Sequence, residues 1–553
     1  MSGVQLALIG VLFAPDDPYA AWYREALEHA GLIFESLESI TPKKLNELDV
    51  LILCGNGELG DDLPLVAQWA LADHHGLVVS GSTWGLELTL GVQPDPHRPK
   101  IAQGLMKFSR HAIWPESARS IWFIGGTRVS ANQAVPLISA EDGSVGLSKL
   151  GSAFFLAPHV GRSLGLTLMG KSVENDEIGP DDPSVDWHSG PLRAEMGTRL
   201  SFHDRVENLF IEPHADNLRE LFLKTVFAAV DVTKKSCAIL WHLPNNASHA
   251  AVCTIQSDTA SNTDLYNLNA SLLMQNTRCT ILSRLNEHPP EVYNWMRRVG
   301  HELGFSYDAD DPAGWHPDRY RVQTSALCRL ASIPSIAVGK TLQGSWSGLT
   351  RPYEMFETGG AKVVLSKGGH FAGTSGFLFG TCHPFVPKHR GGKPFNLVEI
   401  PYHLIDVPEV TGIHACENLL AAVWARHGVL HGIASTSVAR TDAGLAGLRR
   451  WIALAKQSGA EMLTAEQLGS FERARRSVRS QIESGAVLSL SSDLGLDGLT
   501  ILISGSGFSG SGLIGRSAPQ QVTRYGRDFM AFNVSLPERR IGSIRFLSEQ
   551  KVA

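Results

Sequence analysis

Three kinds of side chain in this sequence are placed to do chemistry. Carboxylates come first. Asp258 follows the apolar run 250–255, and Asp308, Asp310 and Asp311 cluster at the end of Gly300-His-Glu-Leu-Gly-Phe-Ser-Tyr-Asp-Ala-Asp310. An oxygen-only donor set of this kind suits magnesium or calcium better than zinc. Asp258 and Asp310 are the candidate metal ligands, and Asp258 is the candidate catalytic carboxylate that would take a proton from a bound water. The run 308–311 also reads as a solvated loop with Asp-Pro turn chemistry. Aromatic rings come second. Trp315, Tyr320, Trp346 and Tyr353 fall in loop-like stretches, where Trp315, Trp346 and Tyr353 are candidates to stack on a sugar ring. Packing into the core is the competing reading. His383, in a loop rich in glycine and proline, is a further candidate substrate contact, against a structural or solvated role. A hydroxyl comes third. Gly76-Leu-Val-Val-Ser-Gly-Ser-Thr-Trp-Gly85 reads as strand, sharp turn and helix, with Thr83 at the turn. A threonine hydroxyl is a weak nucleophile at neutral pH unless a base activates it.

These residues need a scaffold larger than one core. The chain has 553 residues, which predicts two to four domains. Hydrophobic residues make up 43% and charged residues 19%, the balance of an ordinary globular protein. The formal net charge of −6 gives no electrostatic case for nucleic acid or an anionic membrane. The first residues lack a basic segment and end their apolar run at Pro15-Asp16-Asp17, so they read as a buried strand rather than a signal peptide. No apolar run is long enough to span a membrane. The seven cysteines are scattered, odd in number and without a Cys-x-x-Cys pair, which predicts a reducing compartment, the cytoplasm.

Apolar runs alternate with helical periodicity over residues 4–92, predicting a parallel sheet covered on both faces. The stretch 176–186 reads as an acidic exposed loop, and 217–230 as a helix closing the domain 1–235. Repeated strand–helix units then run from 236 to 472. They include strands at 250–255, 280–282 and 429–433 and helices at 264–275, 291–303 and 443–459, a pattern that predicts a distorted (β/α) barrel. Residues 472–479 read as a charged linker or helix end. Short strands separated by glycine and serine fill 473–553 and predict a small β-sandwich, with 505–512 as a flexible hairpin loop.

Two resemblances add to this reading. Gly81-Ser82-Thr83-Trp84-Gly85 resembles the nucleophile elbow of class I glutamine amidotransferase-like domains, a flavodoxin-like fold, with Thr83 where active members carry cysteine. That implies the fold for 1–235 without glutamine chemistry. Residues 240–475 resemble the polysaccharide deacetylases of the NodB-homology family. The resemblance is carried by Gly300-His-Glu-Leu-Gly304, by Gly376-Phe-Leu-Phe-Gly-Thr381, by Glu399-Ile-Pro401 and by the closing stretch 460–468. In that family two histidines spaced i, i+4 and one aspartate of a pair hold the metal, and the other aspartate acts as general base on the attacking water. Here Ser306 and Asp310 stand at the histidine positions, and Asp258 alone remains of the aspartate pair.

The resemblance therefore implies a deacetylase-like protein that no longer hydrolyses, a pseudoenzyme that binds a carbohydrate or a protein partner or serves as a scaffold. The alternative is a metal-dependent hydrolase of N-acyl or O-acyl carbohydrate, rebuilt around Asp258 with one divalent metal.

Overall fold

The computed structural model describes residues 4–72, 74–170, 205–206, 209–257, 262–309, 314–369, 375–407, 411–483, 487–505, 508–512 and 519–548. The acidic stretch 176–186, Asp258, Asp310 and Asp311 lie outside the described residues.

Runs of leucine, isoleucine and valine flanked by glycine build the first sheet. Its strands are β1 (Ile9–Phe13), β2 (Glu35–Leu37), β3 (Val50–Gly55), β4 (Gly76–Gly81), β5 (Val135–Ser139), β6 (Val145–Leu150) and β7 (Ala153–Leu156). The order is β2-β1-β3-β4-β7-β6-β5, parallel through β7 and antiparallel beyond it. Every residue of β3 and β4 is buried, as a strand covered on both faces requires. Helix α1 (Ala20–Ala30) covers this sheet together with α2 (His214–Val232), which is longer at both ends than the periodicity of 217–230 indicates. After β4 the chain turns through Gly81, Trp84 and Gly85, all at positive φ, so the following helix begins at Glu87.

Strand β8 (Ala238–Leu240) leaves this region to join a sheet formed mainly by the end of the chain. The central unit then begins. Strands β9 (Ala250–Gln256), β10 (Thr280–Ser283), β11 (Glu302–Tyr307), β12 (Val338–Thr341), β13 (Val363–Val364), β14 (Val398–Glu399), β15 (Leu404–Ile405), β16 (Val429–Ser435) and β17 (Glu461–Leu463) form one curled, all-parallel half-barrel. The order is β14-β13-β12-β11-β10-β9-β16-β15, with β17 beside the first half of β9. All carboxyl ends of a parallel sheet face one way, so Ser257, Ser283, Tyr307, Thr341 and Ser435 gather at one rim. Helix α3 (Asn262–Met274) follows β9.

One strand departs from the sequence pattern. The periodicity of 291–303 suggests one helix, but the helix Pro290–Arg298 stops and β11 starts at Glu302. Gly300 sits at φ +85 and breaks the helical path, so Glu302–Tyr307 is a strand. At the other end, α4 (Ala465–Arg476) opens with a capping box between Thr464 and Gln467. Its last turn, up to Arg476, falls in the segment 472–479 that reads as a charged linker or helix end, and the helix end is what forms. Glu472 and Arg475 are 1% and 2% exposed there, because Glu472 pairs with Arg475 and Arg476, and Arg475 also donates to the backbone carbonyls of Glu28, His29 and Leu240.

Two four-stranded antiparallel sheets follow. The first combines β8 with Leu496–Ser504, Arg527–Leu536 and Gln520–Arg524. The second contains Arg479–Glu483, Val487–Ser491, Ile541–Ser548 and Phe508–Gly512. Leu488, Leu490, Ile501, Ile503 and Phe532 share one core between them. Most of the expected hairpin loop 505–512 is thus a strand, held by antiparallel pairing with Ile544–Ser548.

Candidate functional site

The carboxyl rim of the half-barrel is where the residues expected to act should meet. At the end of β9, Ser257 is fully buried and its hydroxyl lies 2.7 Å from His288 Nε2. The other ring nitrogen of His288 lies 3.0 Å from Asn262 Oδ1, at the start of α3. With Oδ1 accepting from Nδ1–H, the lone pair of Nε2 accepts from the Ser257 hydroxyl. Burial holds the His288 imidazole below its ordinary pKa and therefore neutral. Asn262 is exposed, so the relay runs from solvent inward. A hydroxyl, a neutral base and a group orienting that base are the parts of an activated nucleophile.

Beside it, the Gln256 amide donates to Ser306 Oγ at 2.8 Å. Ser306 is 1% exposed. This is one of the positions at which the resemblance places a metal-binding histidine, and it holds half of a neutral amide–hydroxyl pair. Among the described residues, the groupings of three His, Cys, Asp or Glu side chains close enough to share an ion lie elsewhere in the fold.

The far side of the rim holds buried charge. Glu399, on β14, accepts from the backbone N–H groups of Ser366 and Lys367 at 2.9 and 2.8 Å. Burial nonetheless pushes its carboxyl up to about 7, against these bonds and the nearby Lys367 ammonium. Burial likewise lowers Lys340 to about 8, with Glu399 opposing. Lys367 Nζ lies 3.8 Å from the centre of the Trp346 ring, which packs edge-on against Tyr353 at 5.1 Å.

The sequence candidates separate accordingly. Trp346 and Tyr353 meet, but Tyr353 is fully buried and Trp346 is 7% exposed, with an ammonium on its ring. Trp315 is half-buried against the main core. His383 is elsewhere. Its Nε2 bonds the carbonyl of Arg426 at 3.1 Å, and neighbouring Cys382 accepts from Val429 N, which places both at the amino-terminal end of β16. His431, inside β16, turns inward to Thr254 Oγ1 at 2.9 Å and is held down to about 3 by burial. Ser257, His288 and Asn262 escape sequence reading because no spacing rule links them. The available signal was Ser257 directly before Asp258 at a strand end.

In the first unit, the Thr83 hydroxyl donates to Glu87 Oε1 on the helix that follows the turn. Cys54 is fully buried, and burial pushes its thiol well above the ordinary range.

No family model matches the chain, and no curated protein matches it. Among solved structures, the carbohydrate deacetylase Agd3 aligns with 99% of this chain and 100% of its own, at 7% identity and a TM-score of 0.42. A Mycobacterium smegmatis protein assigned as a polysaccharide deacetylase aligns with 42% of this chain and 93% of its own, at 17% identity and a TM-score of 0.33. BA3943, a CE4 family pseudoenzyme from Bacillus anthracis, aligns with 41% of this chain and 66% of its own, at 12% identity and a TM-score of 0.27. Similarity at this level says nothing about activity.

Proposed function

We propose that this chain is a deacetylase-like protein that has lost metal-dependent hydrolysis and acts by binding a carbohydrate or an assembly partner. The observation that carries this reading is the Gln256–Ser306 hydrogen bond at the strand ends. It joins two neutral side chains where the resemblance calls for metal ligands. Of the motif's aspartate pair the sequence keeps Asp258 alone, and neither histidine position of the motif holds a histidine. The unit 1–235 fits the role of an inert amidotransferase-like module, since the Thr83 hydroxyl is engaged by Glu87.

The test is direct. Purified protein is incubated with N-acetylated and O-acetylated oligosaccharides, with and without added zinc, magnesium or calcium, and acetate release is measured beside calorimetric binding. Binding without acetate release supports the reading. Metal-dependent acetate release that is lost in Asp258→Ala would overturn it.

A second reading is favoured by the Ser257–His288–Asn262 relay. It makes the protein a hydrolase of acyl groups with a rebuilt site in the neighbourhood of Asp258. Metal-independent acetate release that disappears in Ser257→Ala would select it over the first. The carbohydrate preference in either reading follows from the resemblance and is tested by the same panel.

A further inference from the structure

Three buried histidines from distant parts of the chain converge where the units meet. His29 lies on α1, His242 follows β8, and His383 lies in the loop before β14. They are 2%, 2% and 4% exposed. Their ring centres are 4.7 Å apart for His29–His383, and 5.1 Å for both His29–His242 and His242–His383. One ring nitrogen from each falls within 4.8 Å of the others.

The hydrogen bonds sort the nitrogens. His242 Nε2 bonds the carbonyl of His427 at 2.7 Å, and His383 Nε2 bonds the carbonyl of Arg426 at 3.1 Å. A carbonyl only accepts, so both Nε2 atoms carry the proton and both Nδ1 atoms carry a lone pair. Neither Nδ1 has a hydrogen-bond partner, nor has either nitrogen of His29. His29 Nδ1 lies 3.7 Å from Glu472 Oε1, close to a carboxylate that can orient the ring and leave Nε2 for a ligand. Four buried ring nitrogens without partners are costly unless something binds them.

We propose that His29 Nε2, His242 Nδ1 and His383 Nδ1 bind a first-row transition-metal ion of the zinc class, which ties α1, the segment after β8 and the half-barrel together. Metal–nitrogen bonds of about 2.0–2.1 Å in tetrahedral array set imidazole ring centres roughly 5 Å apart, which is the spacing observed. Backbone carbonyls fix the His242 and His383 rings from outside, the arrangement usual around metal-bound imidazoles, and the Glu472 carboxylate lies near the third ring. Burial holds all three rings neutral, with the Arg219 guanidinium adding to the effect at His29 and His383, so no proton need be displaced. A small cavity lined by Asp216, Arg219, Glu220, Arg426 and Tyr525 borders His29 and His383. A second grouping, Asp216, Cys382 and His383, is a poorer site. The Asp216 carboxylate already accepts from Thr381, Cys382 N and Arg219, and burial keeps the Cys382 thiol protonated.

The proposal is independent of either function read at the strand ends. Full-length protein is loaded with ZnCl2, desalted and measured by elemental analysis. A cobalt-loaded sample is examined for visible ligand-field bands. One equivalent of metal per chain is expected, with intense tetrahedral cobalt bands. Both should be lost in His242→Gln and His383→Gln and retained in Asp258→Ala. X-ray absorption on zinc-loaded wild-type protein should show three imidazole ligands and does not depend on the variants folding. Substoichiometric metal with both ions, a first shell without imidazoles, or metal lost only in Asp258→Ala would overturn the proposal.

Discussion

Arg476 and Glu25 form a bidentate ion pair, at 2.8 and 2.7 Å, across 451 residues of sequence. Lys388 Nζ meets the same carboxylate at 2.8 Å, so α1, the half-barrel loop and the end of α4 close on one buried acid. Burial alone would raise the Glu25 pKa. The two cations outweigh it and lower the carboxyl to about 2. A folded pKa below the unfolded value gives stability that is present above about 4.5 and is lost as pH falls towards 2. Glu25→Ala leaves two cations facing a buried gap and should cost about 3–5 kcal/mol. Urea unfolding at neutral pH measures this loss, and the variant should show a flatter stability profile between pH 4.5 and 2 than the wild type.

Glu399 has the opposite sign. Its carboxyl is raised to about 7 by burial, so the folded state holds a proton that the unfolded chain releases near 4.5. Its contribution to stability therefore falls as pH rises from about 4.5 to 7 and is constant above that. Glu399→Gln should remove this slope while keeping the two backbone N–H groups satisfied by the amide oxygen. Unfolding midpoints at pH 5 and pH 8 should draw closer in the variant without meeting, because burial also raises the Glu220 and Glu302 carboxyls to about 7. A slope unchanged from wild type would show that Glu399 does not titrate in this window.

How much of this was legible depends on the range of the interaction. Long apolar strands such as β3, β4, β9 and β16 declare themselves through local residue type, as do the glycine turns that bound them. Strand β8 does not, because three residues gain their identity from pairing with 501–503. The stretch 472–479 reads only as a charged linker or helix end because its charge is visible and its partners are not. Glu25 and the carbonyls of Glu28, His29 and Leu240 that receive Arg475 and Arg476 lie hundreds of residues away. The histidine triad has the same character, with no two members close enough in sequence to form a motif.

Gly300 is where a single backbone angle separates helix from strand. At φ +85 an L side chain is strained, and a Cβ there would sit 3.0 Å from Arg278 Nε. Gly300→Ala should therefore destabilise the protein by about 1 kcal/mol or more. The same change in an ordinary helix interior would be stabilising by a similar amount. Chemical denaturation distinguishes the two by sign. A more stable variant would mean that the helix continues through this position and that β11 does not start at Glu302.

The Ser257–His288–Asn262 relay makes a prediction that survives either function. Ser257→Ala removes a buried donor and leaves His288 Nε2 without its partner, at a cost of about 1–3 kcal/mol. His288→Ala exposes the converse defect at Ser257. Because the two groups act on each other, the double variant should cost less than the sum of the singles, with a coupling of about 0.5–3 kcal/mol. Additive losses would show that the hydroxyl and the imidazole do not share a hydrogen bond in solution. If the protein also hydrolyses acyl groups, both single variants should fall to the same residual rate as the double, since a nucleophile and its base fail together. A binding protein would show the stability coupling alone, so one set of three variants separates a structural bond from a catalytic one.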